Sequence, residues 1–323
     1  MPNLPLPSRK LAQVAALTVV AGLIGSPLLA PPLSAQTTTA PATAPASEDA
    51  KKQKIVADRT AAFAAAEKVQ QLGPQKIKLR DQGFIDLPQG YIFVPQPEAD
   101  GILIALGGFK SSETVGLFFP AADDQNWWAR LNFEASGYVK DEEAKVWNAD
   151  ELLNTLKSGT DSGNESRVER GFNPIEVTGW IETPVYDSAS HRLVWSAMVR
   201  DKGSTTDAGS VNFNTYALGR EGYFSLNLIT GPASIAKDKA SARALLAGIS
   251  YDTGKDYGDF NASTDHIAEY GIAALIGGVV AKKLGILALG AAFFLKFAKI
   301  IALAVFAFGA GFMRFFRRKK PDQ

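Results

Sequence analysis

The sequence predicts an α+β domain with an antiparallel sheet and inserted helices, plus a C-terminal transmembrane helix. Three observations predict it. Short runs rich in β-branched and aromatic residues recur between turn residues, among them "IEVTGWIE", "HRLVWSAMVR", "SVNFNTYAL" and "YFSLNLIT". Helical spacing interrupts those runs at Pro97–Leu106, within 141–170 and at Pro232–Gly248. From Ile267 onward Ala, Gly, Leu, Ile and Phe dominate almost to the end of the chain.

Residues 1–35 read as a signal peptide. Arg9 and Lys10 form a basic start, Leu11–Gly25 is an apolar run short for a span, and Leu33-Ser34-Ala35 offers a cleavage point. An uncleaved anchor is the other reading, and either one exports the central part of the chain. Residues 36–50 hold "QTTTAPATAPASE", an Ala/Thr/Pro linker that cannot bury a core. Residues 51–74 are an Ala-rich helical segment, and residues 75–262 form the exported domain.

Within that domain "KIKLRDQGFIDLPQGYIFVP" reads as short paired strands broken at Asp81-Gln82-Gly83 and Pro88-Gln89-Gly90. "TVGLFFP" and "WWARLNFEASGYV" are further strands. Asp141–Arg170 is a charged surface helix or two, with Asn148 or Asp150 able to cap. One hairpin can be registered. Gly219-Arg220-Glu221-Gly222 connects two strands, pairing Leu218 with Tyr223, Tyr216 with Ser225, Asn214 with Asn227 and Asn212 with Ile229. Phe213, Ala217, Phe224, Leu226 and Leu228 then share the core face. The Asn214–Asn227 face is either solvated or the floor of a polar groove.

Residues 263–323 comprise a membrane-proximal helix, a transmembrane segment within 284–316 and a basic cytoplasmic tail. Leu284–Met313 would make roughly 45 Å of helix against a bilayer core of about 30 Å, so two registers compete. Either Ile300–Phe316 spans with Lys299 snorkelling, or Leu284–Phe308 spans with Lys296 and Lys299 near its middle. A lysine at that depth costs about 2.5–3.5 kcal/mol unless it is paired, which calls for a partner. Arg317-Arg318-Lys319-Lys320 places the C-terminus in the cytoplasm and the domain outside. Small residues four apart, such as Ala288 and Ala292, allow self-association through the tail.

Charge and composition exclude several classes. Two basic groups fall in 1–35; nine basic and two acidic groups fall in 267–323. The middle, 36–266, keeps 23 basic and 31 acidic groups, a balance of −8 that disfavours nucleic acid. There is no cysteine, which excludes thiolate metal sites, and the two histidines, His191 and His266, disfavour a zinc site built on several imidazoles, leaving a carboxylate calcium or magnesium site open. No Gly-x-Ser-x-Gly elbow, phosphate loop or dinucleotide fingerprint is present, and no cofactor is expected. Asp252, Asp256 and Asp259 lack calcium-loop spacing.

Asp187-Ser188-Ala189-Ser190-His191 offers Ser, His and Asp in composition, but as one hairpin turn. The polar run "FNASTDHIAEYG" (Phe260–Gly271) reads as a helix cap, with Ser263 or Thr264 at the N-cap, Asp265 and Glu269 in the first turn, and His266 one turn from Tyr270. Its rival is a membrane-edge site using His266 and Glu269.

Trp127-Trp128, "GYVKDEEAK" (Gly137–Lys145), "ADELL" (Ala149–Leu153), Gly179-Trp180, "HRLVW" (His191–Trp195), "NFNTYALGREGYFSLNL" (Asn212–Leu228) and "DFNASTDHIAEYG" resemble the bacterial membrane-anchored proteins called domain of unknown function 2167. The resemblance spans roughly 75–316. It implies a signal, an exported domain and a C-terminal anchor, and it carries over no catalytic residue.

The expectation is a membrane-anchored envelope protein on the outer side of the cytoplasmic membrane, acting as a binding module rather than an enzyme. Lys296, Lys299, Asn214, Asn227 and Arg220 are the residues expected to meet a membrane-protein partner or a second copy. The alternative is a carboxylate-based or metal-dependent hydrolase, which requires Glu134, Asp141, Asp150, Glu221 or His191 to converge on a cleft.

Overall fold

The computed structural model describes residues 48–169, 171–204 and 209–277. The elements run α1 (Glu48–Glu67), β1 (Gln71–Leu72), β2 (Gln75–Leu79), β3 (Gly83–Leu87), β4 (Tyr91–Pro95), α2 (Glu98–Ala105), β5 (Thr114–Pro120), β6 (Trp128–Glu134), α3 (Ala149–Glu169), β7 (Ile175–Asp187), β8 (Arg192–Asp201), β9 (Ser210–Leu218), β10 (Tyr223–Thr230), α4 (Ile235–Gly248) and β11 (Ile249–Tyr251). Short 3-10 turns lie at Glu142–Lys145 and Tyr257–Asp259.

The α+β expectation holds. Eight strands form one sheet in the order β1-β4-β5-β6-β10-β9-β8-β7, and β11-β3-β2 form a second. Every named strand pair is antiparallel. The β9–β10 register is the one read from the Gly-Arg-Glu-Gly connection, with Leu218 opposite Tyr223 and Asn214 opposite Asn227. Gly222 is required there by close approach, since a Cβ would stand 1.9 Å from the carbonyl oxygen of Glu134.

Both faces of the large sheet are covered. One face packs Phe213, Phe224, Leu226 and Leu228 against Leu79, Ile85 and Leu87 of the small sheet and Leu245 of α4. The other face carries two separate clusters. Beneath α1 and α2 lie Phe63, Ile102, Leu103, Leu117, Phe119, Trp128 and Ile229. Beneath α3 and residues 268–276 lie Trp195, Leu193, Tyr216, Tyr223, Leu156, Ile272 and Ile276.

The Asn214 side of the Asn214–Asn227 face is not solvated, while Asn227 opposite it on β10 is half-buried. β9 is buried at all nine positions, because helices on both flanks close over strands that look half-polar in sequence.

The α3 sequence is poor in strong helix formers, and long-range packing holds it. Leu152, Leu156, Thr160 and Asn164, each four apart, make its buried stripe. Asn148 is its cap, accepting from the backbone N–H groups of Asp150 at 2.9 Å and Glu151 at 3.2 Å. Asn164 then uses its amide as a surrogate strand. Its Nδ2 donates to the Ile175 carbonyl and its Oδ1 accepts from the Ile175 N–H, both at 2.8 Å, at the start of edge strand β7.

The Ala-rich segment is helical over Glu48–Glu67 and buries Phe63 and Ala66 in the sheet's second layer. Among the described residues no helix is long and apolar enough to cross a membrane. The anticipated span within 284–316 lies outside the described residues, as does the signal at 1–35.

Candidate functional site

The loops 135–141, 187–191, 219–222 and 252–272 meet at one end of strands β6 to β10, since Glu134, Asp187, Arg192, Leu218 and Tyr223 all lie at that end of the register. Here sequence and structure part company over Phe260–Gly271. The run is not a helix cap. Helical structure begins only at 274, and 261–272 is a loop. The cause lies 45 residues away. Arg220 donates from Nε and Nη2 to the two oxygens of Asp265 at 2.7 and 2.8 Å, and from Nη1 to the Gly254 carbonyl at 3.1 Å. Asp265 also accepts from the Asn261 N–H at 2.7 Å and from Thr264 Oγ1 at 2.9 Å. Hydrogen bonds from Arg220, the Asn261 backbone and Thr264 hold its carboxyl well below the ordinary range. So Arg220, expected to meet a partner, is held internally.

The chain after Asp265 zips along 138–140. Tyr138 N–H donates to the His266 carbonyl at 2.8 Å, Ala268 N–H to Tyr138 at 2.9 Å and Ile272 N–H to Lys140 at 3.0 Å. Tyr270 Oη then reaches Glu134, whose other oxygen accepts from Tyr223 Oη at 2.5 Å. Burial and the Glu134 charge push both phenols up, so they remain proton donors. Glu221 accepts from Lys255 at 2.5 Å and Gln82 at 2.9 Å, which lowers its carboxyl.

A second constellation involves Asp141, Tyr186 and His191. Tyr186 Oη donates to Asp141 Oδ2 at 2.6 Å and lies 3.1 Å from His191 Nδ1. A hydroxyl has one proton, so Tyr186 accepts from His191 and fixes the Nδ1–H tautomer by assignment. Burial first and Asp141 second push the Tyr186 phenol up. The His191 ring packs on Tyr257 at 4.2 Å, Tyr257 on Tyr138 at 4.3 Å, and Tyr138 on Phe260 at 3.9 Å. The Ser–His–Asp composition does not make a triad. Ser190 Oγ donates to Asp187 at 2.6 Å and closes the turn, while His191 looks to Tyr186.

Two concavities open at this end. One, of about 410 Å³, is walled by Arg80, Glu113, Glu134, His266 and Glu269. The other, of about 440 Å³, is walled by Ser190, His191, Arg192, Tyr251, Asp256 and Tyr257. The sequence paired His266 with Glu269 and named Glu134 apart from them, and the fold brings all three to one wall. Asp141 and His191 do converge, through a tyrosine that sequence reasoning missed; only its position five residues before His191 pointed to it. Asp150 stays exposed at the start of α3 and takes no part. Asp256 and Asp259 cap the 3-10 turn between them. Among the described residues no group of three or more acids and histidines is placed to hold a metal ion.

Asn214 and Asn227 lie mid-sheet, bonded to one another at 2.6 Å from Asn227 Nδ2 to Asn214 Oδ1. Lys296 and Lys299 fall outside the described residues.

Fold and site together define an antiparallel α+β domain in which hydrogen-bonded loops crown one end of the sheet. The family model described as Protein of unknown function (DUF2167) matches residues 71–309, and the chain belongs to this family. No curated protein matches the chain. Among solved structures, the solution structure of cyanobacterial PsbP (CyanoP) from Synechocystis sp. PCC 6803 is similar at 10% identity and a TM-score of 0.35, covering 55% of this chain and 92% of that one.

Proposed function

We propose that the chain is an exported binding module tethered to the cytoplasmic membrane by its C-terminal apolar segment. Export is supported by the basic start and apolar run of 1–35, and the tether by the apolar stretch within 284–316 and the basic Arg317–Lys320 beyond it. One observation carries the geometry. Ile272 and Ile276 are fully buried in the fold, so the chain is locked into the domain up to the residues where the apolar tail starts. Whatever holds the tail therefore holds the loop end, and both concavities, close to the bilayer. Binding is favoured over catalysis because Glu134, Asp141, Glu221 and Asp265 are each engaged by side chains from other segments of the chain. A preorganised polar surface of that kind suits recognition. In this reading Lys296 and Lys299 meet a membrane partner.

The carboxylate hydrolase remains the second reading, favoured by the Asp141–Tyr186–His191 relay beside the 440 Å³ concavity.

Fractionation of cells making the full chain with a C-terminal tag tests the tether. The expected result is retention in carbonate-washed membranes, with external protease removing the domain and sparing the tag. Recovery in the soluble fraction, or loss of the tag with the domain, overturns the reading. Native mass of the gently extracted protein tests the partner. A second component released by Lys296→Leu with Lys299→Leu is expected, and a mass unchanged by those substitutions removes that part.

A further inference from the structure

The concavity of about 410 Å³ holds two opposite charges that do not meet. Arg80 and Glu269 both line it. Among the described residues Arg80 has no carboxylate partner, and its Nη2 donates to the carbonyls of Ser112 and, at 2.9 Å, Thr114. Glu269 is exposed, and its carboxylate has neither a hydrogen bond nor an ion pair among those residues. The end of β6 separates them. On one side the Phe133 N–H donates to the Glu113 carbonyl at 2.9 Å, beside the carbonyls that hold Arg80. On the other side Tyr270, next to Glu269, closes on Glu134.

Both charges are held in place. Arg80 sits at φ +55° in the turn between Leu79 and Gly83, a conformation that favours glycine or asparagine. Strained backbone at a side chain pinned by two carbonyls is a reason to look for a ligand there. Nε and Nη1 of Arg80 remain free to donate. Across the concavity, the backbone bonds of 266 and 268 to Tyr138 fix the segment that carries Glu269. The other two carboxylates of the wall are engaged elsewhere: Glu134 accepts from the Tyr223 and Tyr270 phenols, and Glu113 acts on the buried Arg130. A simple anion is opposed by these carboxylates, and a simple cation by Arg80. A molecule with one charge of each sign, set apart, complements both walls.

We propose that this concavity binds a short zwitterionic peptide, of dipeptide size. The C-terminal carboxylate takes the free Arg80 donors and the N-terminal ammonium takes Glu269, both charge-assisted contacts. His266 lines the same concavity, and its imidazole also lacks a hydrogen-bond partner among the described residues, so it is available to the peptide group between the two ends. The volume falls within the range of about 300–1,000 Å³ that small-ligand sites occupy. A free α-amino acid carries both charges on one carbon and spans the walls less well. The inference rests on the reading of the loop end as a recognition surface, and it is independent of the membrane tether.

Titration calorimetry on the full chain in a non-ionic detergent tests this, with Ala-Ala, N-acetyl-Ala-Ala, Ala-Ala amide and alanine as probes at fixed salt. Ala-Ala is expected to bind saturably at one site. Each capped peptide should bind about tenfold more weakly, the loss of one charge-assisted contact. Alanine should do no better than the capped peptides. Glu269→Gln should erase the preference for Ala-Ala over its acetylated form and keep the preference over the amide. Arg80→Gln should do the reverse. Should Arg80→Gln fail to fold, the amide on the parent chain and Glu269→Gln, an exposed substitution, still decide the matter. The proposal is overturned by absent or unsaturable binding of Ala-Ala, by capped peptides or alanine that bind as well, or by a Glu269→Gln variant that still discriminates against the acetylated form. These heats and the cell fractionation can fail independently, so a lost tether and a lost peptide site are told apart.

Discussion

Arg220 and Asp265 show how one residue pair decides a local structure. Asp265 comes directly after Ser263 and Thr264, and by local rules the run should open a helix. A bidentate guanidinium offers that carboxylate more than a helix dipole does. The pair lies 45 residues apart in the chain, and its Asp265 side chain is 11% exposed. The pH dependence comes from the direction of the shift. Asp265 titrates lower when folded than its unfolded value near 3.9, so the pair contributes fully above about pH 4 and progressively less as pH falls below it. Asp265→Asn should therefore weaken the fold at pH 7 and flatten the loss of stability on acidification. Denaturant midpoints measured from pH 7 to pH 2.5 check this. Parallel curves for parent and variant would show that the pair adds nothing beyond its geometry.

At the scale of elements, the β9–β10 hairpin was readable because everything that sets it is local. Two glycines fix the connection, and a period of two sorts Phe213, Phe224, Leu226 and Leu228 to one face. The opposite face was not readable. Tyr216 and Tyr223 are covered by α3 and by residues 268–276, elements distant in sequence whose docking no local pattern announces. The same holds for the candidate site. Glu134, Asp141 and His191 were visible as chemistry, but their tyrosine partners became visible only when the loops met. Asn214 and Asn227 were paired correctly, and the burial of Asn214 was misjudged. The hairpin connection also gives an element-scale test. Gly222→Ala forces a Cβ into the Glu134 carbonyl, 1.9 Å away, and must displace the strand that holds Glu134 against Tyr223. The expected cost is about 3 kcal/mol or more. Gly254→Ala meets open space and bears only its left-handed backbone at φ +81°, so it should cost about 1–2 kcal/mol. Equal losses in urea unfolding would mean that the Glu134 segment yields freely and that the loop end is not preorganised.

The whole molecule raises the question of where the folded unit stops. A boundary at the end of the strand-rich region would fall near residue 262, and the polar run after it would then belong to the tail. The packing argues for a later end. Ala268, Ile272, Leu275 and Ile276 are all buried, Tyr216 Oη donates to the Leu275 carbonyl at 2.9 Å, and Tyr270 closes on Glu134. Burying one such aliphatic side chain is worth about 1.5–3 kcal/mol, so three approach the whole stability of an ordinary domain, about 5–15 kcal/mol. At the other end α1 buries Phe63 and Ala66 over the sheet, so the unit begins before Gln71. The prediction is a sharp contrast between two truncations. Residues 48–277 should unfold cooperatively, with the near-ultraviolet signal of a packed aromatic core. Residues 48–266 keep every strand and the Arg220–Asp265 pair but expose Tyr216, Tyr223 and Leu193, and should lack a cooperative transition or aggregate. Circular dichroism during thermal unfolding separates the outcomes. A cooperative melt for 48–266 within a few degrees of 48–277 would mean that 267–277 merely rests on the domain. The proposed orientation of both concavities toward a bilayer would then lose its physical basis.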